Sequence, residues 1–330
     1  MTISSKPDRP VIHMDFAPGN LGNKVLQYFT ALKLRDRIAG ATLSNIAIPE
    51  WSIDIPDAGK PRGRTVRYES AVTSRIDFDD IARRVERDNV RRVELSVYSS
   101  HIDNLPEVAA ARRLLPLKDD AAGYGADVLL INIRGAEILT AIHPDYTVIP
   151  VSFYESIIAE TGLRPVFFGQ VDGESRYLDQ LREAFPHDEF VGSRGALHDF
   201  SVIAKSKNIV IAVSTFSWLA GWLSEADMVI MPMSGFYNPI QYPAVNLVPA
   251  DDPRYRFYIF PINYAVIDAD IVKAHAALKG SWRPIGSDEL RQILAENVIP
   301  AASPMVMPGR LRRLFGKIVR RVRQLLPQQP

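Results

Sequence analysis

Between residues 127 and 231 the chain alternates short, almost continuously apolar runs with helical patterns, and this alternation limits the fold more than any other feature of the sequence. Residues 127–133, 164–169, 190–191, 208–213 and 227–231 read as strands, and residues 153–161, 177–184, 200–205 and 216–224 read as the helices between them. Strands that are apolar on both faces belong in a parallel sheet covered by helices on both sides. The expected class is therefore α/β, with ligands held beyond the carboxyl ends of the strands.

The N-terminal part repeats the theme in a more charged form. Residues 11–16 are a short apolar run ending in Ala17-Pro18-Gly19-Asn20, and Val25, Tyr28, Phe29, Leu32 and Leu34 follow at helical spacing, so the segment reads as strand, loop, helix. Residues 66–97 read as helix then strand. Ala121-Ala122-Gly123-Tyr124-Gly125 is a small-residue break, and 330 residues suit two cores better than one. The expected division is residues 1–122, residues 123–300, and a tail of residues 301–330, with periodicity lost over 237–261 and a helix near 288–296.

A net charge of +1 with 47% hydrophobic residues provides material for two cores and no global field for nucleic acid, which is not an expected partner. The absence of cysteine excludes disulfides, thiolate metal sites and a cysteine nucleophile. Residues 1–10 are polar, so no signal peptide is expected, and no apolar run approaches the roughly 20 residues that cross a bilayer. A soluble body in the cytoplasm is the expectation.

Three segments carry chemistry. The first is Gly19-Asn20-Leu21-Gly22-Asn23 between a strand and a helix, where glycines permit close approach and the helix N-terminus offers N–H groups and a positive dipole end to phosphate. An ordinary strand-to-helix turn fits this segment equally well. The second is Asn132-Ile133-Arg134-Gly135-Ala136-Glu137 at a strand end, where an arginine fork suits a leaving diphosphate and Glu137 is a candidate base or a plain helix-start acid. The third is Ser214-Thr215-Phe216-Ser217-Trp218, whose hydroxyls can cap a helix or hold phosphate oxygens. Trp218 and Trp222 read as core. Asp199, upstream, reads as a helix cap or as an acceptor for donors of a nucleotide base. His13 and Asp15 on the first strand are further candidates for a base.

In this order the segments resemble the α-1,2-fucosyltransferase family of bacterial surface-polysaccharide enzymes. Gly19-x-Leu21-Gly22-Asn23-x-x-x-Gln27-Tyr28 is similar to that family's Gly-x-Leu-Gly-Asn-Gln-x-x-Gln-Tyr, with Lys24 in place of Gln, and Ser214-Thr215-Phe216-Ser217-Trp218 is similar to its Ser-Thr/Ser-Phe-Ser-Trp block. Asp199 stands at the family's spacing. Of the pattern His-x-Arg-Arg-Gly-Asp, Arg134 keeps the first arginine, while Asn132 replaces the histidine and the second arginine is missing. The resemblance implies a GT-B-like fold of two Rossmann-like domains facing a cleft. It further implies inverting, metal-independent transfer of a fucose-like sugar from a GDP-sugar to a surface-glycan or lipid-linked acceptor. Beyond the nucleotide sugar no cofactor is implied, and Gly19, Asn20, Gly22, Asn23, Asn132, Arg134, Asp199, Ser214, Thr215, Phe216 and Ser217 would bind the donor. Another nucleotide sugar (UDP, dTDP or CMP) and a non-catalytic sugar-nucleotide or polysaccharide-binding protein stay open.

In the tail, Leu311, Leu314, Phe315, Ile318, Val319, Val322, Leu325 and Leu326 form an apolar stripe. Arg310, Arg312, Arg313, Lys317, Arg320, Arg321 and Arg323 supply the rest of the surface, with no acidic residue. A basic amphipathic helix of this kind suits the headgroup layer of an anionic membrane, which implies peripheral attachment at the inner face, or docking on protein. Asp77-Phe78-Asp79 and Asp268-Ala269-Asp270 are metal-type triplets in charge-rich stretches and read as solvated faces.

Overall fold

The computed structural model describes residues 9–17, 20–70, 75–97, 99–135, 137–140 and 143–297. Gly19 and the tail with Arg310, Arg312, Arg313, Lys317, Arg320, Arg321 and Arg323 lie outside the described residues.

The N-terminal unit runs β1 (Val11–Met14), α1 (Leu21–Arg37), β2 (Thr42–Ser44), β3 (Ile46–Ile48), β4 (Ile53–Ile55), β5 (Arg64–Ser70), α2 (Phe78–Arg87), β6 (Val90–Val97) and α3 (Val108–Leu114). Its parallel sheet has the order β2-β1-β6-β5, and β3 pairs with β4 as a separate antiparallel hairpin. Register places Ile12 beside Val93 and Met14 beside Leu95, so the apolar members of each strand share the buried face that packs on α1 and α2. The opposite face is polar, unlike the usual parallel sheet. There Arg67 pairs with Asp15 at 2.6 Å and Glu94 at 3.4 Å, and the buried Arg92 pairs with Glu94 at 3.2 Å. This alternation explains why residues 66–97 open with a strand, β5, before α2: Arg67 and Glu69 face outward while Val66 and Tyr68 face the core.

The C-terminal unit runs β7 (Val128–Ile133), α4 (Val151–Thr161), β8 (Arg164–Gly169), α5 (Arg176–Ala184), β9 (Glu189–Gly192), α6 (Ala196–Lys205), β10 (Asn208–Val210), α7 (Thr215–Leu223), β11 (Met228–Met233), β12 (Tyr255–Ile259), α8 (Ile271–Leu278), β13 (Arg283–Ile285) and α9 (Ser287–Glu296). Strand order is β13-β12-β11-β10-β7-β8-β9, parallel except for β13. The chain winds outward from β7 through β8 and β9, then returns to the other side of β7 with β10, β11 and β12. The order therefore reverses between β7 and β10.

The architecture is α/β, two units each built on a largely parallel sheet. They touch along several lines. Trp51 meets Phe200 edge-on at 5.1 Å, Ile102 N–H donates to Asn246 O at 2.7 Å, and Asn246 N–H donates to Ser100 O at 2.9 Å. Arg112 of α3 donates from Nε to Leu223 O at 2.8 Å and from Nη2 to Ser224 O.

The acidic triplets start helices. Asp77 accepts from Asp80 N–H at 2.8 Å at the head of α2, and Asp268 accepts from Arg176 and Tyr177 N–H at 3.0 and 3.3 Å at the head of α5.

α8 packs on α5 through His275, whose ring lies edge-on to Tyr177 at 5.7 Å and whose two nitrogens are buried without hydrogen-bond partners among the described residues. Burial lowers its pKa to about 4. The folded state then holds a neutral ring while the unfolded chain takes up a proton near pH 6.5, so stability falls as pH drops from about 6.5 to about 4, by on the order of 3 kcal/mol. His275→Phe should flatten this acid limb. Melting temperatures at pH 7.5 and 4.5 check it: an equal acid loss in both proteins would remove His275 as the cause.

Candidate functional site

The reversal between β7 and β10 makes a switch point at the carboxyl ends of these strands, the place where doubly wound sheets bind ligands. Arg134 follows β7 directly, and Ser214 caps α7 just after β10. The two side chains meet across the switch point, where Arg134 Nη1 donates to Ser214 Oγ at 2.5 Å. Tyr237, fully buried, donates its hydroxyl to Ser214 O at 2.7 Å and so fixes the N-cap from behind. Burial, with a smaller contribution from Tyr146, raises the Tyr237 pKa well above its ordinary value, so the phenol stays protonated and remains a donor. Gly135 N–H is held by Gln170 Oε1 at 3.1 Å, which sets the exit of β7.

The N-terminal unit presents the first turn of α1 to the same place. Thr215 Oγ1 donates to Asn23 Oδ1 at 2.9 Å, and a Cβ on Gly22 would stand 2.5 Å from Phe216 N and 2.7 Å from the Thr215 carbonyl carbon. Two helix N-termini thus converge beside Arg134, and neither first turn carries an acidic residue. Dipole ends and guanidinium add in sign and concentrate positive potential on one point.

The structure brings together Gly22, Asn23, Arg134, Ser214, Thr215 and Phe216, with Asn20 as N-cap of α1. Several candidates are employed differently from what the sequence suggests. Gly22 is a packing glycine: its missing side chain lets two helices touch, so it leaves no opening of its own for phosphate. Ser217 is completely buried and accepts from Ala212 N–H at 3.0 Å, which ties the turn before α7 rather than a ligand. Asn132 donates from Nδ2 to Phe168 O at 3.1 Å, a bond to the neighbouring strand in place of a base contact. Asp199 lies inside the first turn of α6, not at its cap, and accepts from Arg194 N–H at 2.9 Å and from the Ser193 hydroxyl.

His13 and Asp15 lie on the polar sheet face. His13 Nδ1 stands 3.3 Å from Asp57 and 3.4 Å from Ser44 Oγ, and burial followed by the Arg92 charge lowers its pKa. Asp15 is committed to Arg67. Glu137 begins a short 3₁₀ turn (Glu137–Thr140), and its side chain lies outside the described residues. Tyr237 had no signature in the sequence, since it sits in an aperiodic stretch and reaches Ser214 only through the fold. Among the described residues no group of three or more His, Asp or Glu could hold a metal ion.

Neither a family model nor a curated protein matches the sequence. Solved structures of similar outline include Arabidopsis thaliana FUT1 in complex with GDP (10% identity, TM-score 0.41, covering 78% of this chain and 72% of that one). A glycosyl transferase of family 9 from Veillonella parvula shares 12% identity at a TM-score of 0.42, covering 88% and 99% of the two chains. The E. coli heptosyltransferase WaaC with ADP shares 12% identity at a TM-score of 0.37, covering 87% and 100%. Likeness of this extent assigns no residue and no substrate.

Proposed function

We propose that this chain is a glycosyltransferase that binds a nucleotide-diphosphate sugar at the β7/β10 switch point. One observation carries the reading: two acid-free helix N-termini and Arg134 converge at the topological switch point, where a diphosphate finds N–H donors, a hydroxyl and a charged fork together. The sequence blocks that resemble α-1,2-fucosyltransferases supply those groups, so the preferred donor is a GDP-linked, fucose-like sugar.

In this reading the acceptor oxygen attacks the anomeric carbon from the face opposite the leaving group, giving inversion. The bond from that carbon to the diphosphate oxygen breaks, and the acceptor proton passes to a base. Arg134 and the helix ends take up the charge developing on the diphosphate, so no metal is required. Glu137, three residues after Arg134, is the preferred base, because His13 and Asp15 are tied on the sheet face. Residues 1–122 would offer the acceptor side and residues 123–300 the donor side. A surface glycan or its lipid-linked precursor would be the acceptor, with the basic tail attaching the enzyme to the inner face of an anionic membrane.

Thermal-shift titration with GDP, UDP, dTDP and CMP tests the donor. A ligand at 100 times its Kd stabilises the native state by about 2.7 kcal/mol, and GDP is expected to raise the melting temperature most. A larger shift with another nucleotide replaces the guanine assignment, and no shift with any of them overturns the site. Release of the sugar from the bound donor separates an enzyme from a binding protein.

A further inference from the structure

We propose that Ile240, Ile262 and Tyr264 form a second, apolar contact with an anionic lipid bilayer, one that turns the active-site edge of the body toward the membrane. The inference rests on the peripheral attachment proposed above for the tail. These side chains are 48%, 55% and 62% exposed, and with Ile267 they make up four of the five large apolar side chains exposed among the described residues.

Such side chains clustered on one edge call for a partner. Ile240 lies in the loop after β11, and Ile262 and Tyr264 lie in the loop after β12. β11 and β12 are neighbouring parallel strands, so both loops leave the carboxyl edge of the sheet, the edge that also carries Arg134 and Ser214. The loops are stapled together, since Gln241 Nε2 donates to Asn263 O at 2.5 Å and Asn263 N–H donates to Gln241 Oε1 at 3.0 Å. Gln241 Nε2 also donates to the buried Asp145 at 2.7 Å, so the platform is anchored to the body.

The place where the described chain ends, at Asn297, selects the occupant. Pro239 and Pro243, which flank this loop, line a cavity of about 160 Å³ together with Leu294 and Asn297. The cavity includes no residue of the Arg134 cluster, and it sets the end of α9 across from the two prolines on either side of Ile240. The described chain therefore ends on a wall shared with the Ile240 loop, and a tail lying in the headgroup layer would bring that loop to the same surface.

The two contacts divide the work by chemistry. Residues 239–253 and 259–272 contain no lysine or arginine, so these loops bring no basic side chain of their own to the lipid. The seven basic residues of the tail provide the salt-sensitive part of the attraction, and the patch provides an apolar part that salt does not screen.

Sedimentation of the full-length chain with vesicles of equal parts phosphatidylcholine and phosphatidylglycerol tests this, comparing wild type with an Ile240→Ser, Ile262→Ser, Tyr264→Ser variant. All three positions are exposed, and an unchanged melting temperature confirms the fold. The variant should bind at least about tenfold more weakly, as expected for three apolar side chains left in water, while its binding keeps the salt dependence of wild type. In a second chain, Tyr264→Trp, emission should shift to the blue on vesicle addition and be quenched by brominated lipid. Undiminished binding of the triple variant, with the Tyr264→Trp emission unmoved, overturns the patch and leaves the tail attachment standing. Wild type that ignores the vesicles overturns both. A triple variant that differs from wild type only by dissociating a dimer assigns the surface to a second copy and also overturns the proposal.

Discussion

Replacing Arg134 with alanine should cost about two to three orders of magnitude in transfer, the loss seen when one donor to a developing anion is removed from a preorganised site. Calorimetric titration should show a matching loss of nucleotide-diphosphate affinity. The residue stands at the one place where the winding of the C-terminal sheet reverses, and Nη1 is already directed at the cap of α7. Arg134→Lys should rescue little, because a single ammonium cannot span two oxygens as a planar fork does. If Arg134→Ala bound the nucleotide as tightly as wild type, the switch point between β7 and β10 would not be the donor site.

Gly22→Val should act on the whole molecule and not on donor access alone. A side chain at this position would begin 2.5 Å from the Phe216 nitrogen, which is backbone and has no rotamer to escape into, so the units must part. Overpacking of this kind costs typically 1–3 kcal/mol, and the melting temperature should fall by roughly 5 °C. Gly22→Ala should fall in between, and Asn23→Ala, which loses only the hydrogen bond with Thr215, should do least. A Gly22→Val protein with the melting temperature of wild type would show that the helices do not approach this closely in solution.

Much of the C-terminal unit could be read directly, because β7, β8, β10 and β11 are apolar on both faces and no other environment suits such runs. β12 has no local signature: its five residues follow a long stretch rich in proline and tyrosine, and its place is set by β11 alongside it. The N-terminal sheet was harder to read because its outward face is held by ion pairs, which in a linear reading look like a solvated helix. The first turn of α6 went unseen because Gly195 precedes it at φ 109° and Asp199 caps no helix end. At the site, residue types could be foreseen and their partners could not. Ser214, Thr215 and Ser217 are three hydroxyls in one turn, yet one meets Arg134, one meets Asn23 and one turns inward to Ala212. Only the directions of the helix turns and the approach of α1 decide among them.

The contacts on α7 have a mechanical consequence. Its N-terminal turn bears on Gly22 and Asn23, while the carbonyls at its other end, Leu223 and Ser224, are gripped by Arg112 from α3. One unit therefore holds both ends of a helix that belongs to the other. A displacement along the helix loosens both grips at once. The forward grip lies beside the Arg134–Ser214 contact. A shift of one unit against the other along α7 is therefore felt at its Arg134–Ser214 end, where the proposed reading seats the diphosphate.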